Sequence, residues 1–151
     1  MNLEPLDNRW LEPARALEAH CFEDAWSVAL WHRFLPQSYV LIAQDQLIGY
    51  AQCSKVLDEA ELLRIAISPA YRRQGMGRQL LQQLCEQLRQ QDIQRLMLEV
   101  RESNRAALAL YQSCGFQLDG RRTGYYDTAI PGVHEDALLF GLDLLSLQVS
   151  D

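Results

Sequence analysis

The chain has 151 residues, of which 48% are apolar, enough to bury a sizeable core and too many for a disordered chain. Its formal net charge is −6, which argues against direct nucleic-acid contact, whose footprint is basic, and suits a cationic partner. The opening MNLEPLDNRW has acids and a proline where a secretory leader needs a basic start and an apolar run, and no stretch nears the roughly 20 apolar residues of a membrane span, so one domain over residues 1–151 in the cytoplasm is expected.

NLEPL supplies a short first strand, and WLEPARALEAHCF carries apolar residues at helical spacing, with Pro13 expected in the opening turn, where proline is tolerated. DAWSVALWHRFL is expected to form a second, shorter helix. SYVLIAQ and QLIGYAQCSKV are apolar and β-rich around polar Asp45 and Gln46, a hairpin pattern, and AELLRIAIS is a further strand ended by Pro69. The helix expected over Met76 to Gln90 buries a stripe of Leu80, Leu81, Leu84 and Leu88. RLMLEV is a short apolar strand. SNRAALALYQSCGF is a helix capped by Ser103 or Asn104 and closed by Gly115 in a left-handed conformation. Two strands, FQLDGRRTGYY and EDALLFGLDL, complete a β-α-α-β-β-β-α-β-α-β-β order. That order implies an α/β (α+β) fold with one mixed, mostly antiparallel sheet and helices on both faces.

The four cysteines, Cys21, Cys53, Cys85 and Cys114, form no C-x-x-C pair and sit in apolar settings, so buried free thiols are expected. With no second His or Cys near His134 at ligand spacing, no metal is expected.

Three places carry candidate chemistry. In RRQGMGR, Gly75 and Gly77 permit close backbone approach, and Arg72, Arg73 and Arg78 surround a helix mouth whose N–H groups can converge on an anion. It is not a P-loop, since no Gly-Lys-Ser/Thr follows, nor a dinucleotide fingerprint, since Leu80 replaces the third glycine. The competing reading is a glycine-rich helix start with solvated arginines. Glu99 is a carboxylate in an apolar strand, so it sits at a sheet end, in a cleft or in an ion pair. It is either a general base or a strand-end acid paired with Arg101 or another cation. Tyr111 is either a core tyrosine or, if its hydroxyl faces a cleft, an acid.

Together RRQGMG and the block LEVRESNRAALALYQSCGF resemble the GNAT family of acetyl-CoA-dependent N-acetyltransferases. The first fits that family's pyrophosphate loop, Q/R-x-x-G-x-G/A, after a strand and Ser-Pro. The second fits its Asn-x-x-Ala-x-x-Leu-Tyr-x-x-x-Gly-Phe block. VLDEAELLRIAIS, LEVRESN and RRTGYY further resemble a bacterial branch that acetylates the N-terminal alanine of a small-subunit ribosomal protein. The resemblance implies the GNAT fold, acetyl-CoA as cosubstrate and a protein N-terminus as partner. It implies that Ile65, Ala66 and Ile67 pair with the pantetheine arm, that Arg73, Gln74, Gly75, Met76, Gly77 and Arg78 hold the pyrophosphate, and that Asn104 contacts the cofactor. Glu99 would be the general base and Tyr111 the general acid, with Cys114 structural. Asp58, Glu59, Glu61 or Asp136 would read a basic substrate tail, and Tyr125 and Tyr126 would wall the peptide entrance. The alternatives left open are a lysine or small-amine acetyltransferase of the same fold and a non-catalytic acyl-CoA sensor.

Overall fold

A computed structural model describes residues 1–146. The strands are β1 (Asn2–Pro5), β2 (Ser38–Ala43), β3 (Gln46–Val56), β4 (Glu59–Ile67), β5 (Arg95–Arg101), β6 (Gln117–Asp127) and β7 (His134–Asp143). The helices are α1 (Asn8–Cys21), α2 (Val28–Arg33), α3 (Met76–Gln90) and α4 (Arg105–Ser113). The element order is the expected one. All strands join one seven-stranded sheet in the order β1-β2-β3-β4-β5-β7-β6, antiparallel except where β4 meets β5.

The alternation of the strands divides the core in two. On one face Leu41, Ala51, Cys53, Leu62, Leu96 and Leu98 pack against α3 and α4. On the other, Val40, Tyr50 and Ala66 pack against α1 and α2. The predicted stripe of α3 is buried in full, with Cys85 added to it. Each such leucine contributes roughly 1.5–3 kcal/mol through burial.

Two helical expectations are corrected. Asp7 caps α1 by accepting from the Arg9 N–H, so the helix starts early and Pro13 lies inside it rather than in its first turn. Proline there removes a backbone donor, and burial of Leu11, Ala14 and Leu17 holds the helix together across it. The second helix spans only Val28–Arg33. Ser27 accepts from the Leu30 N–H as its cap, and the six positions before Val28, residues 22–27, form a loop. The thiols differ too: Cys53 and Cys85 are buried, whereas Cys21 and Cys114 are half-buried. No helix among the described residues is long and apolar enough to cross a membrane.

Candidate active site

The parallel pairing of β4 with β5 runs only from Glu59 and Arg95 to Leu62 and Leu98. Past that point the strands part, while β4 stays paired with β3 out to Ile67 and β5 with β7 out to Arg101. The free edge of β4 thus offers unpaired backbone groups that an extended chain can join as an added strand. A cavity of about 640 Å³ occupies the gap, with Ile65, Glu99, Asn104, Tyr111 and Tyr126 among its walls.

Glu99 is the first β5 residue beyond the pairing with β4. Its side chain is 22% exposed and is held from two directions: Tyr126 donates its hydroxyl hydrogen to Oε2 at 3.0 Å, and Arg122 Nε lies 3.2 Å from Oε1. Each oxygen keeps capacity for a further donor. The partner is Arg122 and not Arg101, which pairs with Glu135 and lies 4.2 Å over the Tyr126 ring. An irregularity in β6 between Arg122 and Tyr126 sets this arrangement. There Gly124 turns left-handed at φ 64° and donates its N–H to Asp136, which re-aims Tyr126 toward the cleft, as bulges do.

Tyr111 stands on α4 and is 7% exposed, its ring 5.7 Å from that of Phe116. It is both a core residue and a cleft residue. Burial, helped by nearby Cys114, pushes its phenol up to about 12, so Tyr111 keeps its proton at neutral pH. Asn104 caps α4 by accepting from the Ala107 N–H at 3.2 Å, and it also lines the cleft.

The loop before α3 borders a second hollow of about 430 Å³, walled by Ile67, Arg73, Gly75, Met76, Gly77 and Arg78 among others. Gly75 is the N-cap of α3, at φ 74°, and no side chain caps the helix. The opening N–H groups of a helix have no partner inside it, so here they face outward with the positive end of the dipole behind them. A Cβ on Gly77 would stand 3.3 Å from Leu110 Cδ2, so that glycine permits α3 and α4 to approach. Among the described residues neither Arg73 nor Arg78 joins an ion pair, whereas Arg72 is tied to the Ile67 carbonyl and to Cys21. Uncapped amides, two free guanidiniums and an unpaired strand edge fit a long ligand with an anionic pyrophosphate at one end.

At two of the expected contact positions only the backbone is left to face a ligand. The Gln74 side chain donates back to the Ala70 carbonyl, and the Ala66 side chain is buried on the α1 side of the sheet, leaving its backbone to the cleft strand. Of the predicted tail readers, Asp136 is engaged by Arg121 and the Gly124 N–H. Asp58 lies in the turn joining β3 to β4 and Glu59 opens β4, while Glu61 lines a hollow of about 320 Å³ that shares Glu99 with the main cleft. Sequence reasoning missed Phe22, Glu23, Asp24, Arg64 and Arg122, all of which line these cavities. Phe22 and Asp24 lay at the adjoining ends of the two expected helices, with Glu23 between them, and only the early Ser27 cap signalled a loop. Among the described residues no group of three or more His, Cys, Asp or Glu could hold a metal ion.

A family model described as the acetyltransferase (GNAT) family matches residues 3–116. The chain is 40% identical over 129 residues to the [ribosomal protein bS18]-alanine N-acetyltransferase of Salmonella typhimurium, covering 83% of this chain and 84% of that one. Its fold is similar to the crystal structure of the ribosomal-protein-S18-alanine N-acetyltransferase from Escherichia coli, with TM-score 0.82 and 35% identity over 95% of this chain and 93% of that one. A Bacillus subtilis acetyltransferase solved in complex with CoA shares the fold at TM-score 0.72 and 23% identity, over 94% of this chain and 96% of that one.

Proposed function

The chain belongs to the GNAT family of acetyltransferases, and we propose that it moves the acetyl group of acetyl-CoA onto the N-terminal α-amine of a protein, the N-terminal alanine of ribosomal protein bS18. The observation that carries the reading is one cleft holding Glu99 on its β5 wall and protonated Tyr111 on its α4 wall, at the point where β4 and β5 separate. The substrate rests on the 40% identical relative of that name.

Arg73, Arg78 and the backbone from Gly75 to Arg78 would hold the pyrophosphate of acetyl-CoA, and the free edge of β4 at Ile65 to Ile67 its pantetheine arm. When bound, acetyl-CoA supplies a thioester carbonyl open to an amine and a thiolate leaving group. Glu99 takes the proton from the incoming ammonium, directly or through water. An α-ammonium has a pKa near ~8 against ~10.4 for lysine, so deprotonation at neutral pH costs about 3 kcal/mol less for a chain terminus. A β4 N–H in the gap meets the charge developing on the carbonyl oxygen. Tyr111 returns a proton to the departing sulfur.

A basic tail suits the cleft. Glu23 and Glu61 line its two hollows, and among the described residues neither is in an ion pair. The partner is a protein terminus, with no nucleic-acid contact of its own, and a ribosomal substrate puts the work in the cytoplasm.

The test is CoA release from acetyl-CoA with three acceptors: a basic peptide beginning with free alanine, the same peptide with a blocked terminus and internal lysines, and a polyamine. Turnover confined to the first is expected. Turnover with only the blocked peptide or the polyamine would replace the N-terminal reading, and tight acetyl-CoA binding with no turnover would make the protein a sensor.

A further inference from the structure

The core against α3 and α4 is built of apolar residues and thiols. The core against α1 and α2 contains a charge: Glu18 of α1 is 1% exposed. Burying a carboxylate is costly unless every part of it is paired, and Glu18 is paired throughout. Its Oε1 accepts from the Trp26 backbone N–H at 2.6 Å and from the Trp31 indole at 3.1 Å, and its Oε2 accepts from Arg64 Nη1 at 3.0 Å. Arg64 reaches on from β4 to the Asp24 carbonyl at 3.1 Å and its carboxylate at 2.8 Å, with Phe22 under its guanidinium at 4.4 Å.

Apart from the Trp31 indole in α2 and the link from Glu18 to Arg64 on β4, these contacts end on residues 22–27, the loop that replaces the end of one expected helix and the start of the next. Phe22, Glu23, Asp24 and Arg64 are also walls of the main cleft. The loop has no strand partner, and the Trp26 amide is spent on Glu18 rather than on a helix. An apolar side chain at position 18 would fill the space without fixing the loop.

We infer that Glu18 is a positioning residue for the substrate: from beneath the cleft it clamps the 22–27 loop through Trp26 and Arg64, and so sets the affinity for the acceptor amine rather than the rate of transfer. The inference rests on the reading that the acceptor is a peptide terminus entering past this loop. Glu99, Tyr111 and the α3 loop form no hydrogen bond or ion pair with Glu18, so cofactor binding and the proton-transfer groups are left as they are.

The experiment pairs steady-state kinetics with hydrogen exchange on Glu18→Ala and the size-matched Glu18→Gln, which can keep the Trp26 and Trp31 contacts but turns an amide donor toward Arg64. Glu18→Ala is expected to raise the peptide KM by roughly tenfold or more with kcat within about threefold and acetyl-CoA affinity unchanged. In the free protein it speeds amide exchange across 22–27 by roughly tenfold while β5 and β7 stay as protected as before. Glu18→Gln shows the same pattern at smaller amplitude, and carries the test if the alanine variant does not fold. An unmoved peptide KM, or equal losses in kcat and in both KM values, would overturn the proposal, as would unchanged exchange at Trp26. A parent protein inactive on every peptide, with exchange still faster in the variants, would instead sink the peptide reading and leave the clamp standing.

Discussion

Tyr126 donates its hydroxyl hydrogen to Glu99 at 3.0 Å from the strand across the cleft, while Arg122, four residues earlier on the same strand, holds the other carboxylate oxygen at 3.2 Å. The carboxylate is therefore aimed before any substrate arrives. Arg101, lying over the Tyr126 ring and paired with Glu135, fixes the donor in turn. Such preorganisation suits the general-base role proposed for Glu99.

Glu99→Gln keeps the shape and both neighbours but cannot take a proton. Turnover should fall by about 10²–10⁴-fold, the usual worth of a general base, with acetyl-CoA affinity unchanged by calorimetry. Equal losses in turnover and cofactor affinity would make Glu99 a structural residue.

Tyr111→Phe should cost far less, about 10–100-fold in kcat. The phenol sits at about 12 and a free thiol near ~8.5, so handing over a full proton is uphill by roughly 5 kcal/mol. The thiolate can also leave unassisted. No alkaline fall in rate due to Tyr111 should occur below about pH 11, and a loss beyond about 10³-fold would mean that the hydroxyl does more than donate to sulfur.

Stability should decline in alkali. Burial pushes the Cys53 and Cys85 thiols up to about 12, and Tyr111 likewise. The unfolded chain gives up these protons first, from about pH 8.5 for thiols and about 10 for the phenol. The folded state holds them longer, so it binds more protons in that window and its stability falls as pH rises. The stabilisation is complete below about pH 8.5 and lost on approaching 12. Thermal melting from pH 8 to 11 should show the decline, and the Cys53→Ala, Cys85→Ala pair should flatten its lower half. A melting temperature flat to pH 11 would contradict this.

Gly77→Asp should weaken acetyl-CoA binding by at least about tenfold, since a side chain there crowds Leu110 and adds negative charge at an anion site. Gly75→Ala, strained at φ 74°, should cost about 1 kcal/mol of stability. Unchanged cofactor affinity in Gly77→Asp, measured by titration, would remove the pyrophosphate assignment.

Much of this site was legible in local sequence. The α3 mouth could be read because glycines, arginines and an amphipathic stripe lie within a few residues of one another, and the Asn104 cap and Gly115 closure of α4 are equally local. Glu99 stood out as a charge in an apolar strand. Its partner did not, because Arg122 reaches it through strand register and a local irregularity in β6, which neighbouring residues do not encode. The 22–27 loop was hidden for a similar reason. DAWSVALWHRFL has helical spacing, and its first part is instead held by two tertiary bonds, Trp26 to Glu18 on α1 and Arg64 on β4 to Asp24. Tertiary partners override local propensity where the site is built.

The most direct measurement uses one basic peptide that carries both a free N-terminal alanine and internal lysines, incubated with the protein and acetyl-CoA and sequenced by tandem mass spectrometry. The account predicts a single acetyl group on the alanine α-amine, abolished in Glu99→Gln. Acetyl groups on lysine ε-amines with the terminus left free would contradict it.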